Sequence, residues 1–178
     1  MENFNIELFA NDLESEVGLT LVGGRPGVGK TTFLLNVTAQ MLRRNKNVFF
    51  VSLELDEESV KNYLLSTGLN DQDSLSKLTI YDKPNFNLDD LSDDETVVNS
   101  DLIIIDYLNL IGYANDKSLD YIVKQLKNIS NHKNINIIAS AQLSTGNDES
   151  RIPTESDFMI SEDVFSKYVD NSILLYEK

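Results

Sequence analysis

The chain contains no cysteine. Disulfides and cysteine-held zinc or iron–sulfur sites are therefore excluded, and a reducing compartment suits the protein. It has a single histidine, His132, which excludes a histidine-rich metal site. Positive charge is scarce: 15 Lys and Arg stand against 29 Asp and Glu, a formal net charge of −14. Proteins that grip phosphate backbones over a wide surface are usually basic. Any nucleic-acid role must therefore rest on a small local patch or on a partner. No apolar run approaches the ~20 residues needed to cross a bilayer. The N-terminus, MENFNIELFANDLESE, is acidic and lacks the basic and apolar regions of a secretory signal. A soluble, cytoplasmic protein is expected.

What is present is globular. Hydrophobic residues make up 41% and charged residues 25% of 178 residues, enough for one domain with its own core. Short apolar runs alternate with helical stretches. Leu19–Val22, Val48–Leu53, Leu78–Tyr81, Leu102–Ile105, Ile135–Ala141 and Ser172–Tyr176 read as strands. Helices are expected at Thr31 to Arg44, Asp56 to Leu65 and Ser118 to Lys133, with Gly68 placed to stop the second. The bare run Leu102–Ile105 has the look of a strand covered on both faces. Strands alternating with helices predict α/β architecture with a mostly parallel sheet covered on both faces. Asn85 to Asp101, rich in Asp, reads as a solvated acidic connection, and Thr145 to Asp157 as a polar, mobile loop.

Residues 24–31 read GRPGVGKT, directly after a strand and directly before a helix. That context separates a phosphate-binding P-loop from a chance match. Glycines let backbone N–H groups curl around an anion without Cβ clashes. The helix that follows points its positive dipole end at the phosphates. Gly24, Arg25, Pro26, Gly27, Val28, Gly29, Lys30, Thr31 and Thr32 are thus the expected nucleotide-binding stretch. Lys30 supplies a mobile charge for the β- and γ-phosphates, and the Thr31 hydroxyl is a hard ligand suited to Mg²⁺. Asp106 ends a buried strand, where open α/β sheets bind ligands, and is the expected metal-linked carboxylate. Tyr107, not Glu, follows it, so the base for an attacking water must come from elsewhere. Glu54 ends the Val48–Leu53 strand; if that strand lies beside the P-loop strand, its carboxylate faces the γ-phosphate. Gln142, at the tip of Ile135–Ala141, could hydrogen-bond that phosphate and report it to the following loop.

GRPGVGKT, VSLEL, LIIIDYLNLI and IIASAQLS together closely resemble the ATPase domain of DnaB-type replicative helicases, within the RecA-like P-loop superfamily. The pair Arg25-Pro26, the triplet Ser52-Leu53-Glu54 and the triplet Asp106-Tyr107-Leu108 carry more of the likeness than the P-loop alone. The resemblance runs on through Ser156-Asp157 to the closing strand. It sets residues 1–16 apart as a short N-terminal segment and 17–178 as the RecA-like domain. It implies ATP and Mg²⁺ as ligands, Lys30 and Thr31 on nucleotide and metal, Asp106 as the Walker-B acid, Glu54 as the catalytic glutamate and Gln142 as the sensor amide. It also implies a link to DNA replication and a helicase, loader or other replication protein as partner.

The departures define what the resemblance leaves open. Relatives carry an N-terminal primase-interacting domain and, after the last matched strand, a basic segment with an arginine finger for the neighbouring subunit. Here the arginines are Arg25, Arg43, Arg44 and Arg151. Arg151, in the loop after Gln142, is the one candidate trans donor, though not where relatives keep the finger, and its loop also carries Asp148, Glu149, Glu155 and Asp157, the wrong charge for a DNA-binding loop. Three readings follow: a reduced, slowly hydrolysing ATPase; a non-hydrolysing nucleotide-binding regulator of a helicase; and a DNA-unwinding homo-oligomeric motor. Circadian-clock and recombinase types of RecA-like ATPase fit the SLE and IDYLNL segments less well.

Overall fold

A computed structural model describes residues 5–83, 86–93, 95–115, 117–144 and 151–176. The strands are β1 (Leu19–Gly24), β2 (Val48–Ser52), β3 (Leu78–Tyr81), β4 (Leu102–Asp106), β5 (Asn136–Gln142) and β6 (Asn171–Leu175). They form one sheet in the order β3-β2-β4-β5-β1-β6, with every pairing parallel. Parallel neighbours need crossovers, and these are helical: α2 (Lys30–Arg43), α3 (Glu57–Ser66) and α8 (Leu119–Lys133). The expected strands and long helices are all present, with ends shifted by one or two residues.

The apolar runs explain the layering. Alternate residues of a strand point to opposite faces. Ile103 and Ile105 enter a core with Ile122, Val123 and Leu126 of α8, while Leu102 and Ile104 enter another with Leu34, Val37 and Leu42 of α2. β2 does the same, with Phe49 and Val51 on one side and Val48 and Phe50 on the other. A fully buried Leu or Ile contributes about 1.5–3 kcal/mol, so both faces of the central strands hold the fold.

Three local signals place the helix starts. The Asp56 side chain accepts from the Ser59 N–H and caps α3. Ser118 accepts from the Tyr121 N–H and caps α8, which closes on Asn134 in the left-handed region, φ 54°. Asn5 accepts from Glu7 and Leu8 N–H groups and starts α1 (Ile6–Ser15). This N-terminal helix packs on α2: Ala10 and Leu13 are buried, Phe9 meets Phe33 at 6.2 Å between ring centres, and Arg44 donates to Asn11 Oδ1 and the Glu7 carbonyl.

Two expectations need correction. The acidic stretch from residue 85 to 101 is not simply a solvated connection. Phe86, Leu88, Leu91 and Val97 lie in the α8-side core; Leu91 comes from the short helix α5 (Asp90–Asp93) and Val97 from α6 (Glu95–Val98). Asp90 accepts from the Asn87 N–H and Asp101 from the Asn47 N–H, so part of the acidity closes turns. The second concerns Thr145 to Asp157. Residues 145–150 lie outside the described set. The remainder is anchored: a single 3₁₀ turn over Glu155–Phe158 has a capping box between Thr154 and Asp157, and Phe158 is fully buried. Helices α4 (Gln72–Leu75), α7 (Leu108–Asn115) and α9 (Glu162–Tyr168) complete the described elements.

Candidate functional site

The phosphate loop runs from β1 into α2 and takes its shape from two glycines. Gly27 has φ +79° and Gly29 φ +95°, backbone that a side chain would strain. Gly29 precedes α2 and its carbonyl accepts from the Phe33 N–H. The N–H groups of Lys30, Thr31 and Thr32 belong to the first turn of α2, where backbone donors have no partner within the helix ladder and the dipole favours an anion. Lys30 Nζ donates to the carbonyls of Gly24 at 3.0 Å and Arg25 at 3.1 Å, so the ammonium is held across the loop. Burial lowers the Lys30 pKa, while the negative charges of Asp106 and Glu54 act the other way.

Three side chains meet where α2 begins. Thr31 Oγ1 donates to Asp106 Oδ2 at 2.6 Å and lies 3.5 Å from Glu54 Oε2. Asp106 is 1% exposed. Partial withdrawal from water raises the Glu54 pKa, as does Asp106's charge; Lys30 and the Thr31 hydrogen bond oppose the shift. The condition attached to Glu54 is not met, because β4 and β5 lie between β2 and β1. Glu54 reaches the site by another route. The P-loop and α2 arch across the strand tips, and Thr31 comes to the carboxylates instead of β2 coming to β1.

Gln142 ends β5, and its N–H donates to Asn109 Oδ1 at 2.9 Å. Pro26, Gly27, Gly29, Lys30, Thr31, Glu54, Tyr107 and Gln142 line one cleft of about 240 Å³. Arg25, Pro26, Gly27, Val28, Leu175 and Tyr176 line a second of about 250 Å³ on the other flank of the loop. The expected site residues are therefore brought together around one loop. Three neighbours were missed in the sequence. Tyr107 lines the cleft, Asn109 holds the tip of β5, and the Ser140 hydroxyl donates to Asp106 Oδ1. A hydroxyl in the middle of the otherwise apolar IIASA run was the available signal for Ser140.

Among the described residues no cluster of three His, Cys, Asp or Glu side chains stands ready to hold a metal alone. The donors present are hard oxygens on Thr31, Asp106 and Glu54, which suit Mg²⁺ held partly by water and by substrate phosphates. Among the described residues no helix is long and apolar enough to cross a membrane.

The family model for the DnaB-like helicase C-terminal domain matches residues 14–70 and 67–176. The chain belongs to this family. This DnaB-like domain is 31% identical over 171 residues to the "Probable replicative DNA helicase" of Trieres chinensis, covering 75% of the chain and 37% of that protein. It is 31% identical to the replicative DNA helicase DnaB of Mycoplasma pneumoniae, covering 71% of the chain and 35% of the relative. The DNA repair protein RadA of Chlamydia pneumoniae is 32% identical over 128 residues, covering 71% of the chain and 26% of RadA. The chain thus spans only about a quarter to two fifths of these relatives' length. Among solved structures, a DnaB-like replicative helicase described with its interactions with primase superposes with TM-score 0.70 at 20% identity, over 90% of the DnaB-like chain and 47% of that one. A second solved structure, an ATPase domain, gives TM-score 0.68 at 20% identity, over 90% of the chain and 69% of that domain. The RadB recombinase, at TM-score 0.59 and 20% identity over 90% of the chain and 76% of RadB, shares the same RecA-like fold.

Proposed function

We propose that the chain is an ATP-binding, slowly ATP-hydrolysing domain that serves DNA replication. The observation that carries this reading is the convergence of Thr31 on Asp106 at 2.6 Å and Glu54 at 3.5 Å, at the mouth of the loop that holds Lys30. The amides of the loop and of the first turn of α2 bind the phosphates. Lys30 pairs with the β- and γ-phosphates. Thr31 and Asp106 hold Mg²⁺, whose charge would neutralise the phosphate oxygens. Glu54 orients and deprotonates the attacking water. Gln142 meets the γ-phosphate from the opposite strand tip. The flank formed by Arg25, Val28, Leu175 and Tyr176 offers a surface for the base, with adenine expected from the family.

The net charge of −14 favours a second role beside this one, as a nucleotide-binding accessory to a helicase or its loader rather than a motor that itself grips DNA. The test is binding and turnover of Mg²⁺–ATP by wild type and Lys30→Ala. Loss of most affinity or turnover in the variant supports the assignment. Unchanged values in both overturn it.

A further inference from the structure

The ladder between β4 and β5 ends at the pair Ile105 and Ala139. Beyond it the strand tips are linked by side chains. The Ser140 hydroxyl donates to Asp106 Oδ1, and the Gln142 N–H donates to Asn109 Oδ1 at 2.9 Å. Ser140 is fully buried and Asp106 is 1% exposed, so water does not replace the hydroxyl. Thr31 takes the other carboxylate oxygen, Oδ2. Asp106 is thereby held at both oxygens, one from β5 and one from α2.

We propose that Ser140 is a positioning residue: its hydroxyl fixes the Asp106 carboxylate so that Oδ2 stays turned toward Thr31 and the Mg²⁺ position. The inference rests on the reading of Asp106 as the carboxylate that serves Mg²⁺. Without the Ser140 hydroxyl, Oδ1 loses its donor in a place where no solvent reaches it. The carboxylate can then turn about its last torsion, which is broad and weakly restrained by itself. Outer partners of this kind orient the groups that meet a metal, and losing one costs about 10–100-fold in metal affinity. Ser140→Ala removes only an oxygen from a packed strand and leaves the nucleotide loop untouched.

The experiment is a titration of Mg²⁺ against the full chain with N-methylanthraniloyl-ADP, read by fluorescence anisotropy without any need for turnover. Wild type is expected to tighten on this nucleotide as Mg²⁺ is added. Ser140→Ala should need roughly tenfold more Mg²⁺ for half of that tightening, with its metal-free affinity unchanged. In an Asp106→Asn background, adding Ser140→Ala should produce no further shift, because Ser140 acts through that carboxylate. A Ser140→Ala titration that overlays wild type overturns the inference. So does an equal loss of metal-free binding, or a shift that persists in Asp106→Asn. If Ser140→Ala does not fold, Ser140→Cys, a weak donor of similar size, should show a smaller shift in the same direction, and no shift there overturns the inference. A wild type that does not tighten with Mg²⁺ at all removes the reading of the site, and the inference with it.

Discussion

Arg151 holds the Asp157 carboxylate by both ends of its guanidinium, Nη1 donating to Oδ2 at 2.8 Å and Nη2 to Oδ1. Asp157 is 4% exposed and also accepts from the Thr154 N–H. The Arg151 carbonyl in turn accepts from Arg25 Nη2 of the phosphate loop at 2.7 Å. The one arginine left as a candidate donor to a neighbouring subunit is thus engaged inside its own chain. Its geometry closes the base of the polar loop and ties that base to the P-loop.

Arg151→Ala should therefore lower stability by about 1–3 kcal/mol, the cost of leaving a charged, mostly buried acceptor without its donor. Thermal or urea unfolding measures this. No loss would mean that solvent replaces the guanidinium.

The same pair predicts an acid response. The Arg151 hydrogen bond, followed by that of the Thr154 N–H, holds the Asp157 pKa below the usual carboxylate value. A depressed folded pKa adds stability that is fully present above the unfolded value, about 3.9, and is lost as pH falls through the folded value. Wild type should lose stability below about pH 4 more steeply than Asp157→Asn, which cannot titrate there. Parallel unfolding curves for the two from pH 6 to 3 would contradict the assignment.

Much of this was legible because the strands are apolar on both faces and the phosphate loop has a fixed spacing. The parallel sheet, the P-loop and an acid at the tip of β4 follow from local pattern, whereas the adjacency of β2 and β1 on which Glu54 was placed does not exist. What was not legible depends on strand order. Nothing local to Val48–Ser52 says that two strands separate it from β1, or that α2 carries Thr31 to the carboxylates. Phe86, Leu88, Leu91 and Val97 were hidden by the acidic residues between them, since short helices give too few turns for a period to show. Helix α1 went unread because the resemblance begins after it, although Ile6, Phe9, Ala10 and Leu13 stand at helical spacing.

Glu54→Gln should keep nucleotide binding and abolish most hydrolysis. The amide preserves the shape beside Thr31 but cannot take a proton. Removal of a general base typically costs about 10²–10⁴ in rate. Single-turnover hydrolysis, with nucleotide affinity measured alongside, separates the two effects. Intact hydrolysis would make Glu54 merely the residue that leads into α3.

Single-stranded DNA should bind weakly, with a dissociation constant above about 10 μM at physiological salt, as for proteins that rely on non-specific phosphate contacts. The reason lies in the charge of the whole chain. Asp157 is offset by Arg151, while Glu155 accepts from the neutral Ser172 hydroxyl and keeps its charge at an exposed position. The net charge of −14 remains. Sub-micromolar anisotropy titrations would overturn this and favour the motor reading.

Basal ATP hydrolysis should be slow, with a cation from another chain needed to speed it. Phosphoryl transfer depends on positive charge around the transferring group, and an arginine supplied in trans is worth roughly 10³–10⁵ in kcat, about 4–7 kcal/mol of barrier. Among the described residues lining the central cleft, Lys30 is the one cation. The arginines point elsewhere: Arg43 donates to Thr67, Arg44 to Asn11 and Glu7, Arg25 to the Arg151 carbonyl, and Arg151 to Asp157. Lys30 and a metal alone should leave turnover far below about 1 s⁻¹. The measurement is turnover against protein concentration for wild type and for Arg151→Ala, at a temperature where both are folded. Slow turnover in both, flat with concentration and raised by adding a DnaB-type helicase, supports a site completed by a partner. Fast turnover by a monomer would show that no outside cation is needed. A rate that climbs with concentration and collapses in Arg151→Ala would mean that self-assembly pulls Arg151 away from Asp157, against the internal role its geometry gives it.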